Sequence, residues 1–154
     1  MNVYENIVTM LDTYNIDYKL FEHGEIISYE DAERERLNHK WEGVESKNVF
    51  MTNKKGDYFL YVTTQGTKVD FKQMKEITGE KLSLASNQDV ENIIHCVPGC
   101  VSPFGFDVEI TTIVDRSVFS FENYLFSPGV TTKTIQLSPK DLEQVFIDTG
   151  CVFL

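Results

Sequence analysis

Apolar residues recur along the chain at two spacings, which predict helices and strands that follow one another. Near the amino terminus the spacing is three or four residues, which predicts a helix over 3–14. Short runs rich in aromatic and β-branched residues predict strands instead. The predicted strands cover 18–21, 48–52, 57–63, 82–84, 108–114, 118–121 and 132–137.

Polar residues at the borders of these runs predict where further helices begin and end. Ser28, Asp70 and Ser86 can each accept a hydrogen bond from an early helical amide, and Ser138-Pro139 places proline at a first helical position. The sequence therefore predicts helices over 28–37, 70–78, 86–95 and 138–150. The polar stretch 38–45 is predicted to be a loop, and 53–56 the turn of a hairpin.

These elements alternate without a strict strand–helix–strand order, which indicates an α/β (α+β) domain with a mixed sheet flanked by helices. No internal repeat, low-complexity tract or proline- and glycine-rich linker divides the chain. We therefore expect one domain over 1–154.

Composition indicates a folded, water-soluble protein. Hydrophobic residues make up 42% of the 154 residues and aromatic residues 12%, values typical of globular proteins. The apolar runs are far shorter than the ~20 residues of a membrane span, and no secretory signal is apparent at the start. We expect a cytoplasmic protein without a membrane partner.

Charge is distributed unevenly. The net charge of −10 is unfavourable for wrapping a nucleic acid. Residues 47–81, however, carry 7 basic and 4 acidic side chains, a local balance of +3. This window could contact a single-stranded nucleic-acid end, or its lysines could be the solvated face of a helix.

The cysteines and histidines do not predict a metal site. Three cysteines at 96, 100 and 151 form no Cys-x-x-Cys pair, and no histidine has zinc-type spacing to them. We expect reduced thiols and neither a metal nor another cofactor.

Two short segments carry the most specific chemistry. Gly99-Cys100-Val101-Ser102-Pro103 is a loop whose glycine permits positive φ and a close approach of a ligand to the main chain. Its proline removes one amide donor and fixes the direction in which the loop leaves. About fifty residues earlier, Lys47 begins an apolar strand, where a single cation can meet a phosphate or a carbonyl.

Several motifs, in this order and at this separation, resemble the YbaK and prolyl-tRNA synthetase-associated family of aminoacyl-tRNA editing domains. The similarity extends over about residues 23–150. It is carried by His23 with Ser28-Tyr29-Glu30-Asp31-Ala32, Lys47-Asn48-Val49-Phe50, Asn53 to Leu60, Val69-Asp70-Phe71-Lys72, Leu82 to Ser86, Gly99 to Gly105 and Val114-Asp115.

The resemblance implies a mostly antiparallel, barrel-like sheet and hydrolysis of a wrong amino acid from the 3′ end of tRNA. The similarity is to free-standing members that remove alanine from proline tRNA, with prolyl-tRNA synthetase as a candidate partner. Editing is needed because a missing methylene in a binding pocket is worth only ~1–3 kcal/mol.

The resemblance also implies roles for particular residues. Lys47, Gly99 and Ser102 are the expected catalytic residues: the lysine positions the adenosine phosphate or the ester, loop amides stabilise the oxyanion, and the serine bonds the substrate. No Ser-His-Asp or Cys-His arrangement points to an acyl-enzyme. The residues expected to bind substrate are Asn48, Phe50, Cys100, Val101, Pro103, Phe104, Ser127, Thr131, His23 and Ser28.

Several of these residues could instead have a purely structural role. Lys47 could be a solvated lysine at a strand end, Gly99 and Pro103 could be turn residues, and Ser102 could be a loop cap. We expect His23 to hold a loop by a hydrogen bond, and Phe50 and Phe104 to lie first of all in the core.

The sequence departs from the similar members in the segment that leads into the predicted strand 132–137. Ser127 stands where they carry histidine, and Thr131 stands where they carry asparagine. A hydroxyl is smaller than imidazole and does not change charge near neutral pH. The amino acid removed could therefore be alanine, serine, glycine or a larger one. A second hypothesis is a non-catalytic module that senses a free or tRNA-borne amino acid.

Overall fold

The computed structural model describes residues 2–154 as five α-helices and an eight-stranded sheet with two 3₁₀ turns. The helices are α1 (Val3–Thr13), α2 (Tyr29–His39), α3 (Phe71–Thr78), α4 (Asn87–Ile93) and α5 (Glu143–Asp148). The strands are β1 (Tyr18–Glu22), β2 (Val44–Thr52), β3 (Tyr58–Thr64), β4 (Ser83–Leu84), β5 (Thr111–Val114), β6 (Tyr124–Phe126), β7 (Lys133–Leu137) and β8 (Val152–Phe153). No helix in this described part is long and apolar enough to span a membrane.

Side-chain caps fix the beginnings of three helices where the sequence predicts them. The Ser28 hydroxyl accepts from Asp31 N, Asp70 accepts from two amides of α3, and the Ser86 hydroxyl accepts from Asp89 N. Such caps satisfy amides that have no partner within the helix. The three predicted helix starts are confirmed.

The mixed sheet predicted from the sequence is confirmed. Its strands are paired in the order β1-β7-β6-β2-β3-β5-β8, and β4 pairs with β2 beside this path. Antiparallel pairs join β1 to β7, β7 to β6, and β2 to both β3 and β4, whereas the β2–β6, β3–β5 and β5–β8 pairs are parallel.

The sheet is covered by packed side chains on both faces, as the alternation along β3 shows. Leu60 and Val62 belong to the larger core with α1, α4 and α5, whereas Phe59 and Tyr61 belong to a smaller core with Met74 of α3. Successive side chains of a strand point to opposite faces, so one central strand supplies both cores.

Two predictions near the sheet are wrong. The predicted loop 38–45 ends earlier, because β2 already begins at Val44 and pairs with Tyr124 of β6. The predicted strand 118–121 lies instead in a 3₁₀ turn, Arg116–Ser120. Asp115 caps this turn by accepting from Ser117 N, and the turn buries Val118 completely. The strand follows later, as β6.

The carboxyl-terminal part also differs from the prediction. The segment predicted as one helix over 138–150 begins as a 3₁₀ turn, Pro139–Leu142, and Ser138 makes no side-chain cap. The α-helical hydrogen bonds of α5 extend only over Glu143–Asp148. The chain then forms β8, which the sequence did not predict because two residues carry no detectable period.

Candidate functional site

A cavity of about 280 Å³ lies where β2 meets the loop after α4 and the connection from β6 to β7. Its wall contains four residues of β2, three of the 99–101 loop and several of the 125–134 segment. The lining residues are His23, Ile26, Ala32, Trp41, Glu45, Ser46, Lys47, Asn48, Gln65, Gly99, Cys100, Val101, Leu125, Phe126, Ser127, Val130, Thr131, Lys133 and Thr134.

The cavity forms where one edge of β2 loses its partner strand. β2 pairs with β6 only at Val44 and Glu45, whereas its pairing with β3 continues from Ser46 to Thr52. The loop comes to lie beside the free edge, where the Asn48 Nδ2 donates a hydrogen bond of 3.0 Å to the Val101 carbonyl. Asn48 thus joins the two motifs that the sequence singled out.

Lys47 brings positive charge to this cavity. Its Nζ donates a hydrogen bond of 2.6 Å to the Thr67 carbonyl, and it forms no ion pair with a carboxylate among residues 2–154. An ammonium that is held by a neutral carbonyl keeps its full charge for a ligand. Lys47 is therefore suited to contact a phosphate or a polarised carbonyl.

Two amides of the 99–103 loop belong to cavity-lining residues and have no hydrogen-bond partner within residues 2–154. Cys100 N donates to the Val97 carbonyl at 2.8 Å, and Pro103 has no amide hydrogen. The amides of Gly99 and Val101, both in the cavity wall, make no hydrogen bond to any other described residue. Gly99 has φ +87°, a conformation that favours glycine and shapes the loop.

Five of the predicted site residues lie outside the cavity wall. Ser102 is fully buried and its hydroxyl donates to the Phe104 carbonyl at 2.8 Å. Ser28 caps α2. Phe50, Pro103 and Phe104 are buried. Phe50 stacks on Tyr58, and Phe104 packs against the cavity-lining Phe126 at 5.6 Å between ring centroids.

Ser127 and Thr131, the two positions at which the sequence analysis expects a departure from the similar family members, both line the cavity. The Ser127 hydroxyl donates to the Val130 carbonyl at 2.8 Å. Thr131 contacts Glu25 through its hydroxyl, and its carbonyl accepts from Ile26 N. Because the Ser127 proton is already engaged, its oxygen is available mainly as an acceptor.

Cys100 lies beside Ser127 and is unsuited to act as a nucleophile. Burial raises the pKa of its thiol, an effect that the nearby Ser127 hydroxyl only partly offsets. A thiol must ionise to attack a carbonyl, so burial keeps Cys100 inert near neutral pH.

His23 is held in place by two hydrogen bonds. Its Nδ1 lies 2.7 Å from the Gly24 carbonyl, which can only accept, so this nitrogen carries the proton. Its Nε2 lies 2.9 Å from the Thr134 hydroxyl. The ring also contacts Trp41, at 5.4 Å between centroids.

The sequence missed several lining residues, and Trp41 is the most notable. Trp41 is only 4% exposed, and its indole Nε1 has no hydrogen-bond partner among the described residues. It lies in the stretch 38–45 that was predicted as loop, so only the occurrence of the chain's single tryptophan in a polar segment could have drawn attention to it. Glu45 and Lys133 were missed because isolated charged residues are usually solvated.

The cavity wall thus contains two lysines (Lys47 and Lys133), a carboxylate (Glu45), two residues whose amides make no other hydrogen bond (Gly99 and Val101) and the inert thiol of Cys100. No cavity-lining residue forms a Ser-His or Cys-His hydrogen-bonded pair in the described part of the chain. Such an arrangement can hold and polarise an ester carbonyl for attack by water or by a neighbouring ribose hydroxyl.

Comparison with known proteins agrees with this chemistry. The family model described as aminoacyl-tRNA editing domain matches residues 26–145. The chain belongs to the aminoacyl-tRNA editing domain family. This match confirms the resemblance found in the sequence. Members of this family act on aminoacyl-tRNA as deacylases.

Individual relatives of this editing domain cover it to different extents. The prolyl-tRNA editing protein ProX of Acetoanaerobium sticklandii is 28% identical over 99% of this chain and 96% of its own length. The multifunctional Ser/Thr-tRNA deacylase ProXp-y of Escherichia coli K12 is 28% identical over 54% of this chain and 52% of its own. A solved structure described as a candidate trans-editing enzyme for prolyl tRNA synthetase has the same fold, with a TM-score of 0.76 and 17% identity, and the match covers 100% of this chain and 96% of that chain.

Proposed function

We propose that this editing domain hydrolyses the ester of alanine mischarged on proline tRNA, acting in trans in the cytoplasm. The observation that carries the proposal is the meeting of Lys47 and the 99–101 loop in one cavity of about 280 Å³. The name of the full-length relative, a prolyl-tRNA editing protein, supports proline tRNA as the carrier. Prolyl-tRNA synthetase is the partner from which the mischarged tRNA would come.

Lys47 would hold the terminal phosphate or the ester oxygen. The ester carbonyl would then point towards the amides of Gly99 and Val101, which stabilise negative charge as the tetrahedral intermediate forms. A single donor of this kind is typically worth about 2.7–4 kcal/mol in an acyl-transfer site.

Asn48 would act as a positioning residue, because its hydrogen bond to the Val101 carbonyl sets the distance between β2 and the loop amides. The attacking group would be water or the free ribose hydroxyl. No covalent intermediate with the protein is required.

The cavity volume is about nine times the roughly 30 Å³ that a water molecule occupies in the liquid. It can take a small aminoacyl group together with part of the ribose. Ser127 lies in the wall at the position of the family's histidine and would help set the size limit. A relative named for Ser/Thr-tRNA makes hydroxyl-bearing amino acids the next substrates to examine.

The test is hydrolysis of a panel of mischarged tRNAs by the purified protein. The panel contains proline tRNA charged with alanine, serine, glycine or threonine, and correctly charged proline tRNA as a reference. We expect fastest turnover of the alanyl ester and a loss of about 10²–10³ in rate for Lys47→Ala, as for removal of one electrostatic stabiliser.

Lys54→Ala is the matched control, since Lys54 is exposed on the β2–β3 turn, away from the cavity wall. No turnover of any ester at micromolar enzyme, or equal rates for Lys47→Ala and the wild type, would contradict the proposal. The alternative of a sensing module is not favoured, because the relatives are named as an editing protein and a deacylase.

A further inference from the structure

Tyr29 is the most exposed large apolar side chain among residues 2–154. Its exposed fraction is 86%, and that of its neighbour Ile27 is 78%. Exposed aromatic surface has an unfavourable free energy in water, and such surface beside a cavity is typical of a binding contact.

The position of Tyr29 relates it to the cavity. Tyr29 is the first residue of α2, and Ala32, three residues later on the same helix face, lines the cavity. Arg36, one further turn along that face, pairs at 3.1 Å with the cavity-lining Glu45. The α2 face that forms part of the cavity wall therefore continues by one turn to the exposed ring of Tyr29.

The backbone that carries Tyr29 is held firmly. The Ser28 hydroxyl accepts from Asp31 N, and the Asp31 carboxylate accepts from Ile27 N at 3.1 Å. Ile26 N donates to the carbonyl of the cavity-lining Thr131 at 2.9 Å. Because this backbone is already fixed, only the side-chain torsions of Tyr29 remain to be ordered on contact with a ligand.

We propose that Tyr29 is the stacking platform for the base of the terminal adenosine of tRNA while the aminoacyl ester occupies the cavity. This inference rests on the proposed function, which places the ester there. The ribose that carries the ester also carries this base, so the base must lie within a few ångströms of the cavity. The 3′ end of tRNA is single-stranded, and its bases are free to stack on an aromatic ring.

Stacking also suits the charge of this chain. A protein of net charge −10 gains little from general attraction to phosphates. Base–aromatic contacts do not depend on that attraction, and alanine substitution of one such ring typically weakens single-strand binding by at least about fivefold. Tyr29 would thus supply affinity that the charge does not.

The experiment measures binding, so that it is independent of catalysis. The probe is the trinucleotide cytidylyl-cytidylyl-adenosine with alanine attached to its 3′ position through a non-hydrolysable amide. A second probe is identical but lacks the terminal base. Calorimetric titration compares the wild type with Tyr29→Ala, Tyr29→Phe and Leu37→Ala; Leu37 is exposed on α2 two turns further on.

We expect the wild type to bind the intact probe at least about fivefold more tightly than the abasic one. Tyr29→Ala should remove this preference, whereas Tyr29→Phe and Leu37→Ala should retain it. If Tyr29→Ala keeps the preference for the intact probe, the stacking role is overturned. It is also overturned if Tyr29→Ala loses affinity for both probes to the same extent.

The stacking role would also be overturned if Tyr29 instead docks a protein. In that case Tyr29→Ala would bind both probes as the wild type does but form a weaker complex with prolyl-tRNA synthetase. If the wild type binds neither probe and hydrolyses no mischarged tRNA, the proposed function itself fails. If it hydrolyses the tRNA while Tyr29→Ala keeps the base preference, only the stacking role fails.

Discussion

The hydrogen bond from Asn48 to the Val101 carbonyl gives the sharpest link between stability and activity in this protein. Asn48→Asp keeps the size of the side chain but places a carboxylate oxygen 3.0 Å from the carbonyl oxygen in place of the amide donor. The change leaves the part-buried Val101 carbonyl unsatisfied, at ~1–3 kcal/mol, and removes the hydrogen bond of 3.2 Å that the same Nδ2 donates to the Ser46 hydroxyl, worth ~0.5–1.5 kcal/mol. The expected loss in the free energy of unfolding is therefore roughly 2–4 kcal/mol.

This loss converts into a measurable shift in melting temperature. With an unfolding entropy of about 2.1 cal/mol/K per residue over 154 residues, 1 kcal/mol corresponds to roughly 3 °C. We expect Asn48→Asp to melt about 6–12 °C below the wild type at pH 7 by calorimetry. The rate of deacylation should fall by about 10², because the loop amides move relative to Lys47.

The stability difference should also depend on pH. The introduced carboxyl, desolvated and facing a carbonyl, has its pKa raised above the unfolded value of about 3.9. Its destabilising effect is fully present above the folded pKa, and it shrinks as the pH falls through that value, where the protonated group can donate to the carbonyl. The gap in melting temperature should therefore narrow between pH 7 and pH 5.

The control is Asn92→Asp, at an exposed residue of α4 that makes no side-chain hydrogen bond within residues 2–154. It should melt within about 2 °C of the wild type and keep its activity, as surface substitutions usually do. If Asn48→Asp has the same melting temperature and deacylation rate as the wild type, the role given to this hydrogen bond is refuted. If the difference in melting temperature between Asn48→Asp and the wild type widens on acidification, the electrostatic explanation is refuted.

Two further predictions concern regions away from the cavity. Gly105→Ala places a Cβ 2.6 Å from the Cγ1 of the fully buried Ile7, at a residue whose φ of +101° favours glycine. We expect the free energy of unfolding, measured by urea titration, to fall by about 2–4 kcal/mol. A variant as stable as the wild type would contradict the packing described here. The Tyr14 hydroxyl bonds the Asp148 carboxylate at 2.6 Å and so lowers the pKa of that group. The stabilisation is present above the unfolded pKa and lost as the pH falls through the folded one; Tyr14→Phe should therefore raise the pKa of Asp148 in an NMR titration, and an unchanged value would exclude the bond.

Local signals in the sequence were sufficient where a structural feature depends on neighbouring residues. The starts of α2, α3 and α4 follow from Ser28, Asp70 and Ser86, since a cap bonds an amide only two or three residues away. The segment 116–120 and β8 could not be predicted in this way. Their conformations depend on Asp115 capping a turn and on pairing with β5, contacts that leave no period in the sequence.

The candidate site shows the same division. The sequence identified Lys47 and the 99–103 loop as the segments that carry chemistry, and Lys47 and residues 99–101 of that loop lie in the cavity wall. It could not show that the Ser102 side chain turns inward to Phe104, or that Trp41 joins the wall.

By itself, then, the sequence determined the types of most elements, the family and the motifs that hold its chemistry. Only the tertiary structure decided which of those residues share one cavity, and that Gly99 and Val101 keep their amides free. The physical reason is distance along the chain: helix caps and periodic patterns act over a few residues. The cavity depends instead on where β2 loses its pairing with β6, and on a bond between Asn48 and Val101 that spans fifty-three positions.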